Sequence, residues 1–288
     1  MMSSDNHTSA PVSPSASRIT KAPTGVRGLD DVLNGGLPVG RTTLIAGGPG
    51  TGKSVLAMEL LYRRALGQPP SGLQSAPPAD PQMSSQEDRG EPGVFVSFEE
   101  HADDLRANAA SMGMNLEALE RAGKLRVVHA EVPHGAVRTG SFDIKGLLAM
   151  IEGHSRAIGA RRIVLDALDV LMRIFGDPER EREEMYVLND WLREQGMTVT
   201  LTVKSGTEGG QIYPFLDFMA DCVLYLDQRM QGQVRTRRLT VIKYRGSDFL
   251  GNEHPYVLTS NGVVLLPISS MSLVHHATGA AVSTGNQI

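Results

Sequence analysis

The sequence predicts an α/β fold, in which a mostly parallel central sheet is flanked by helices and antiparallel β-strands follow near the C-terminus. Short apolar, β-branched runs alternate with segments of helical spacing over residues 42–226, which is typical of parallel strands joined by helices. Beyond residue 237 the pattern changes to strands around turns, which predicts antiparallel edge strands. A glycine-rich stretch between the first of these strands and the next helix is the feature around which the chain is organised.

Length and composition exclude several classes of protein. The 288 residues suffice for one large α/β domain or two small ones, and a hydrophobic content of 41% indicates a globular chain. No apolar run approaches the length of a membrane span and the N-terminus lacks a signal-peptide pattern, so the cytoplasm is the expected compartment. The net charge of −4 gives no broad electrostatic footprint for nucleic acid. The lone cysteine, Cys222, is interpreted as a buried apolar residue.

The domain boundaries follow from changes in composition. Residues 1–19 are rich in Ser and Pro and predict a disordered tail, 20–268 form the folded region, and 269–288 form a C-terminal tail. A Pro- and Ser-rich insertion is predicted over 67–93, either a tolerated surface loop or a docking segment. Strands are predicted at 42–46, 94–98, 125–129, 162–166, 198–203, 221–226, 237–244 and 256–259. Helices are predicted within 24–33 and at 55–66, 103–112, 116–122, 144–158 and 185–195.

Residues 47–54 read Gly-Gly-Pro-Gly-Thr-Gly-Lys-Ser, between a strand and a helix, as a phosphate-binding loop requires. Glycines free of Cβ atoms let backbone N–H groups converge on one anion, and the following helix adds the positive end of its dipole. Lys53 is expected to reach the β- and γ-phosphates, and the Ser54 hydroxyl to bind Mg²⁺. The alternative is a glycine turn that closes an ordinary βα unit. The candidate phosphate contacts are Gly48, Gly50, Thr51, Gly52, Lys53, Ser54 and Val55.

Acidic residues follow two of the predicted buried strands. Asp166 ends one strand, where its carboxylate can hold the Mg²⁺ shell beside the loop. Asp169 is interpreted as a local hydrogen-bonding or capping residue. Glu99 and Glu100 end another strand, where a carboxylate can orient and deprotonate an attacking water. The alternative for this pair is a helix N-terminus, where acids favour the dipole; both interpretations can hold at once.

Two cations, Lys243 and Arg245, close a strand far along the chain from the loop. Strand alternation predicts that they share one face, with Tyr244 opposite. They are either finger residues that neutralise a γ-phosphate or a solvated basic edge, and spacing alone favours the basic edge.

Four motifs in this order resemble those of the KaiC family, RecA-like ATPases named after the cyanobacterial circadian-clock protein. These motifs are the loop at 47–54, Phe-Val-Ser-Phe-Glu-Glu at 95–100, Arg-Ile-Val-Leu-Asp at 162–166 and Lys-Tyr-Arg-Gly-Ser at 243–247. The resemblance runs over about 20–267 and implies a RecA-like P-loop NTPase fold and a homo-oligomeric ring, typically a hexamer, with ATP between subunits. It implies that Glu99 is the proton acceptor and that Lys243 and Arg245 reach in from the neighbour.

The resemblance also implies further contacts with the nucleotide. Ser111 matches a serine on the loop's own side, whereas Tyr244, Ser247 and Thr259 match residues that line the adenosine or phosphates from across the interface. Departures from the family pattern accompany these matches. Asp217-Phe218 stand where the clock protein has phosphorylated Ser and Thr, and Phe249 and Ser260 replace its His and Asp.

The sequence therefore predicts a KaiC-like ATPase that binds ATP and Mg²⁺ and serves signalling or clock-like regulation through regulatory protein partners. Its alternatives are a Ser/Thr autokinase, a DNA-dependent RecA-like ATPase, and a scaffold that binds ATP without appreciable hydrolysis. Residues 281–285 echo 21–25, which marks either the start of a second repeat or a chance match.

Overall fold

A computed structural model describes residues 19–67, 90–131, 144–205 and 214–269. The two tails and most of the 67–93 insertion therefore lie outside the described residues. Within the described parts the helices are α1 Leu29–Val32, α2 Lys53–Leu66, α3 Ala102–Ser111, α4 Leu116–Arg121, α5 Ile144–Ile158, α6 Leu168–Met172, α7 Pro178–Glu194 and α8 Pro214–Met219. The strands are β1 Lys21–Ala22, β2 Leu37–Pro38, β3 Thr42–Gly47, β4 Gly93–Ser97, β5 Leu125–His129, β6 Arg162–Asp166, β7 Thr198–Lys204, β8 Cys222–Gln231, β9 Val234–Tyr244, β10 His254–Thr259 and β11 Gly262–Leu265.

Nine strands form one sheet in the order β11-β10-β9-β8-β3-β7-β6-β4-β5, and β1 pairs with β2 separately. Strands β3 to β8 pair in parallel, with β3 in the centre between β7 and β8. Strands β9, β10 and β11 extend the sheet by antiparallel pairing. The predicted fold class, a mostly parallel sheet with antiparallel strands near the C-terminus and flanking helices, is confirmed.

Alternate residues of the parallel strands supply two hydrophobic cores, one on each face of the sheet. Ile45 faces the core that contains α2, α3 and α4, whereas its neighbour Leu44 faces the core that contains α5, α6 and α7. Because both faces are covered, the strands are continuous apolar runs, which is why sequence patterning located them.

The predicted insertion ends earlier than its composition suggests, because Glu91 and Gly93 belong to the fold. Glu91 pairs with two buried arginines, at 3.1 Å from Arg64 and 2.5 Å from Arg162. Gly93 opens β4, where a Cβ would lie 2.3 Å from Leu61 Cδ1, so only glycine fits without movement. The Pro-rich composition continues past the point where these long-range contacts begin.

Helix α7 begins at Pro178, seven residues before the predicted start at Met185. Asp177 caps it by accepting from Arg180 N, and Pro178 occupies a position at the start of a helix that needs no N–H donor. The first half was missed because it is almost entirely charged and carries no apolar periodicity. In the part of the chain that the structure describes, no helix combines the length and apolar content of a membrane span.

Candidate nucleotide site

The phosphate loop leaves the carboxyl end of β3 and enters α2 at Lys53, as predicted. Gly50 and Gly52 have φ of 72° and 88°, in the left-handed region that favours glycine. Gly48 O accepts from Thr51 Oγ1 at 2.8 Å and from Lys53 Nζ at 3.0 Å. The lysine ammonium is therefore folded over the loop, on the side from which a phosphate would approach the helix N-terminus.

Lys53 lies among carboxylates. Burial lowers its pKa, and the nearby charges of Asp169, Asp166 and Glu99 oppose that shift. Asp169, which the sequence predicts to be a local hydrogen-bonding or capping residue, accepts from Lys204 N at 3.1 Å and pairs with Arg173. It is also the carboxylate with the largest electrostatic effect on Lys53, so its charge belongs to the site as well.

Asp166 ends β6 and is only 2% exposed. Its Oδ1 accepts from Thr202 Oγ1 at 2.6 Å. Burial raises its pKa, and the hydroxyls of Thr202 and Ser54 oppose the rise. The predicted metal pair therefore lies close together, and Thr202 is a supporting residue that sequence patterning did not identify.

The acid pair follows β4, next to β6 in the sheet. Buried Ser97 holds the turn, since its Oγ accepts from Glu99 N at 3.3 Å and from Glu100 N at 2.9 Å. Glu100 is restrained, because Asn108 Nδ2 donates to its Oε2 at 3.1 Å and His129 Nδ1 lies 2.9 Å from its carbonyl oxygen. Glu99 is exposed.

A cavity with about 370 Å³ of space, including its open mouth, lies between α2 and α3. Ser54 and Val55 line one side and Glu100 and Asn108 the other, so the start of α2 and Glu100 face a common space. Its remaining lining residues are Met58, Leu105, Ala109, Met112 and Met114. Ser111 ends α3 near this cavity, where it is exposed and its hydroxyl donates to Asn108 O at 2.7 Å.

Lys243 and Arg245 lie on the side of the sheet where the parallel strands begin, which we call the amino edge. The phosphate loop lies on the opposite side, where these strands end, which we call the carboxyl edge. Gly47, where β3 ends, pairs with Leu226 of β8, whereas Lys243, near the end of β9, pairs with Val223, three residues earlier in β8. This separation is about 10 Å along the strand at 3.3 Å per residue. Lys243 Nζ donates to Asp217 O at 2.5 Å and Ala220 O at 2.8 Å, and Arg245 Nη2 to Phe218 O at 2.8 Å. Both cations thus point away from the phosphate loop of their own chain.

The remaining predicted contacts do not form one group. Ser247 follows β9 at the amino edge, and its hydroxyl donates to Asp248 O at 2.8 Å. Tyr244 is 5% exposed and its hydroxyl donates to Gly36 O at 2.8 Å, so its side chain is a core residue and only its backbone is available to a nucleotide.

Thr259 requires a correction. The resemblance implies that it lies with Tyr244 and Ser247 on the far side of an interface, but β10 is antiparallel to β9 and therefore ends at the carboxyl edge. A Cβ on Gly113, two residues after Ser111, would lie 2.6 Å from the carbonyl oxygen of the following residue, Ser260. Thr259 thus belongs to the side of the phosphate loop and Ser111.

Comparisons with known proteins identify the family of the chain. The sequence profile of the family described as "ATPase: KaiC" matches residues 22–72 and 83–270, leaving a gap within the predicted insertion. The chain is 36% identical over 268 residues to the circadian clock protein KaiC2 of Synechocystis sp., covering 93% of this chain and 44% of that protein. It is 32% identical over 282 residues to the circadian clock oscillator protein KaiC of Thermosynechococcus vestitus, covering 97% of this chain and 50% of that one.

Among solved structures, a KaiC-like protein of Pyrococcus horikoshii OT3 superposes with a TM-score of 0.71 at 29% identity, covering 86% of this chain and 100% of that chain. The chain spans about half the length of the curated relatives that it matches. The matched residues include the phosphate loop, both acidic strand ends and the cationic end of β9. The chain belongs to the KaiC family of RecA-like ATPases.

Proposed function

We propose that this protein hydrolyses ATP at sites that two copies share, arranged head to tail in a closed ring. The observation that carries the proposal is the placement of two complementary sets of charges at opposite edges of one sheet. The phosphate loop and its carboxylates occupy the carboxyl edge, and Lys243 and Arg245 occupy the amino edge. Within one chain Lys243 and Arg245 point away from the loop, whereas a head-to-tail contact brings one edge against the other.

The carboxyl edge supplies the binding half of the site. The loop amides and the N-terminus of α2 would hold the phosphates, with Lys53 moving from Gly48 O to a phosphate oxygen. Ser54 and Asp166 present adjacent oxygen donors, a set that fits Mg²⁺, which takes one or two protein ligands and completes its shell with phosphates and water. Bound there, Mg²⁺ would neutralise charge on the phosphates.

The same edge supplies the base. Glu99 is exposed beside the loop and close enough to influence the Lys53 charge, so its carboxylate can accept a proton from a water aligned with the γ-phosphate. Glu100 is held by Asn108 and positions the turn rather than acting as the direct acceptor.

Lys243 and Arg245 would complete the neighbour's site by placing positive charge at the terminal phosphate. Burial and the charge of Arg245 lower the pKa of Lys243. The negative charge of a phosphate bound by an adjacent subunit would oppose this lowering and keep Lys243 protonated.

The proposal extends to assembly and role. We propose a homohexamer in the cytoplasm that acts in signalling or clock-like regulation through protein partners, because the relatives at 30–36% identity carry circadian-clock names. Nucleic acid is not proposed as a partner.

Two measurements on the same preparation test this function. Molecular mass in solution, with and without ATP and Mg²⁺, is expected to show an oligomer, and phosphate release is expected to depend on Lys53. A strictly monomeric protein under all conditions would refute the shared site. An oligomer whose phosphate release equals that of its Lys53→Ala variant would refute hydrolysis at this site.

A further inference from the structure

Three side chains outside the predicted site hold the phosphate loop from behind. Gln228 Nε2 donates to Pro49 O at 3.0 Å, Arg237 Nε donates to Gly50 O at 3.3 Å, and the Tyr256 hydroxyl donates to Thr51 O. Three successive carbonyls of the loop are thus each bound by one side chain.

The three donors form one row across the antiparallel part of the sheet. Gln228 on β8 pairs with Arg237 on β9, and Arg237 pairs with Tyr256 on β10. Neighbours in such a row lie side by side about 5 Å apart, which allows each to reach a consecutive peptide of the loop. We refer to Gln228, Arg237 and Tyr256 as the carbonyl row.

The direction of a bound carbonyl fixes the direction of the next amide. In a trans peptide, C=O and N–H point in opposite directions. Holding the carbonyls of Pro49, Gly50 and Thr51 against the row therefore turns the N–H groups of the following residues away from it. Those N–H groups belong to Gly50, Thr51 and Gly52, three of the predicted phosphate contacts.

We propose that the carbonyl row is a set of positioning residues that orients the loop amides for the phosphates. The inference rests on the proposed nucleotide site and deepens it. Tyr256 is 4% exposed, and burial raises its pKa. Its hydroxyl therefore stays protonated and can donate a hydrogen bond to the loop carbonyl. Leu258, two residues on, packs against the loop as well, with its Cδ1 3.0 Å from the position of a Cβ on Gly52.

The test compares Tyr256→Phe and Arg237→Met with matched controls, using a fluorescent ATP analogue with Mg²⁺ as the probe. Tyr62→Phe removes a tyrosine hydroxyl in α2 that is bonded to Asn115 N, and Arg235→Met removes an exposed arginine from the same strand as Arg237. Each row variant is expected to raise Kd by about 3- to 10-fold, the value of one hydrogen bond. KM should rise similarly with less change in kcat, because the row acts on ground state and transition state alike.

A merely structural role predicts a different pattern. A lower melting temperature of the nucleotide-free row variants with Kd unchanged would overturn the inference, as would equal increases in Kd in the controls. If Tyr256→Phe does not fold, Arg237→Met decides, since its side chain is only partly buried. A wild-type protein that binds no ATP analogue would refute the nucleotide site itself, whereas wild-type binding with unchanged row variants would refute only the row.

Discussion

The two edges of the central sheet carry different charged groups. At the carboxyl edge Lys53 lies near Asp166, Asp169 and Glu99, and the cations Lys204 and Arg173 lie close to the same group. At the amino edge the Lys243 ammonium and the Arg245 guanidinium donate to backbone carbonyls, and the charges of Asp221 and Asp217 also act on Lys243. Asp221 is the carboxylate near Arg245, at 3.8 Å.

This difference indicates which kind of ion the charged groups at each edge can bind. A buried carboxylate near a hydroxyl, as in Asp166 and Ser54, suits a divalent cation, and two adjacent cations, as in Lys243 and Arg245, suit an anion. A magnesium–triphosphate complex carries both charges. The proposed shared site places this complex between the carboxyl edge of one copy and the amino edge of the next.

Arg245→Ala tests the amino edge, and we expect it to have the largest effect on ATP hydrolysis. Removing a finger arginine should lower hydrolysis about 10³-fold while leaving the binding edge intact. Phosphate release by the assembled protein measures it, and Arg161→Ala, which removes an exposed arginine before β6 at the same edge, is the control. Equal rates for the two variants would assign Arg245 to a solvated basic edge.

Glu99→Gln tests the carboxyl edge alone. The amide cannot accept the proton of the attacking water, so turnover should fall about 10²-fold with ATP affinity preserved. Glu100→Gln should cost less, because Glu100 is engaged with Asn108. A larger loss for Glu100→Gln than for Glu99→Gln would exchange their roles.

Asp166 gives the carboxyl edge a pH dependence. Burial raises its pKa, so lowering the pH protonates it earlier than an exposed aspartate and removes the charge that Mg²⁺ requires. The Mg²⁺ affinity of the ATP-bound protein should therefore fall as the pH is lowered. Asp166→Asn should reduce that affinity about tenfold and flatten its pH profile. A profile unchanged by the substitution would remove Asp166 from the metal site.

Glu91→Gln is expected to lower the stability of the fold while having the smallest effect on ATP turnover. It leaves the buried guanidinium groups of Arg64 and Arg162 without their carboxylate, which should cost about 2–4 kcal/mol of unfolding free energy. Denaturant unfolding measures this loss of stability. Phosphate release by the folded variant should stay within about twofold of the wild-type rate, because substitutions at distant sites act independently. A turnover loss as large as that of Arg245→Ala would link Glu91 to the reaction.

Sequence reasoning found the parts that depend on local pattern and missed those that depend on strand pairing. The phosphate loop was predicted because it directly follows one apolar strand, and Asp166 because it directly ends another. The resemblance groups Thr259 with Tyr244 and Ser247, whereas the antiparallel pairing of β9 and β10 separates them, because the end of β10 lies at the carboxyl edge.

The carbonyl row was missed for a related reason. Gln228, Arg237 and Tyr256 come together only through the register of three strands, and none of them lies in a recognisable motif. Tyr244 shows the converse, because its motif indicated a nucleotide contact while strand alternation already placed it opposite Lys243 and Arg245. Its burial confirms the alternation.

Mixing two inactive variants tests the shared site most directly. Arg245→Ala has an intact carboxyl edge and Glu99→Gln an intact amino edge, so one interface in about four is wholly wild type in a randomly mixed head-to-tail ring. After equal amounts are co-assembled, phosphate release is expected to rise to about a quarter of the wild-type rate. No recovery, with mass measurements showing that the two variants have mixed in one ring, would contradict a site built from two copies.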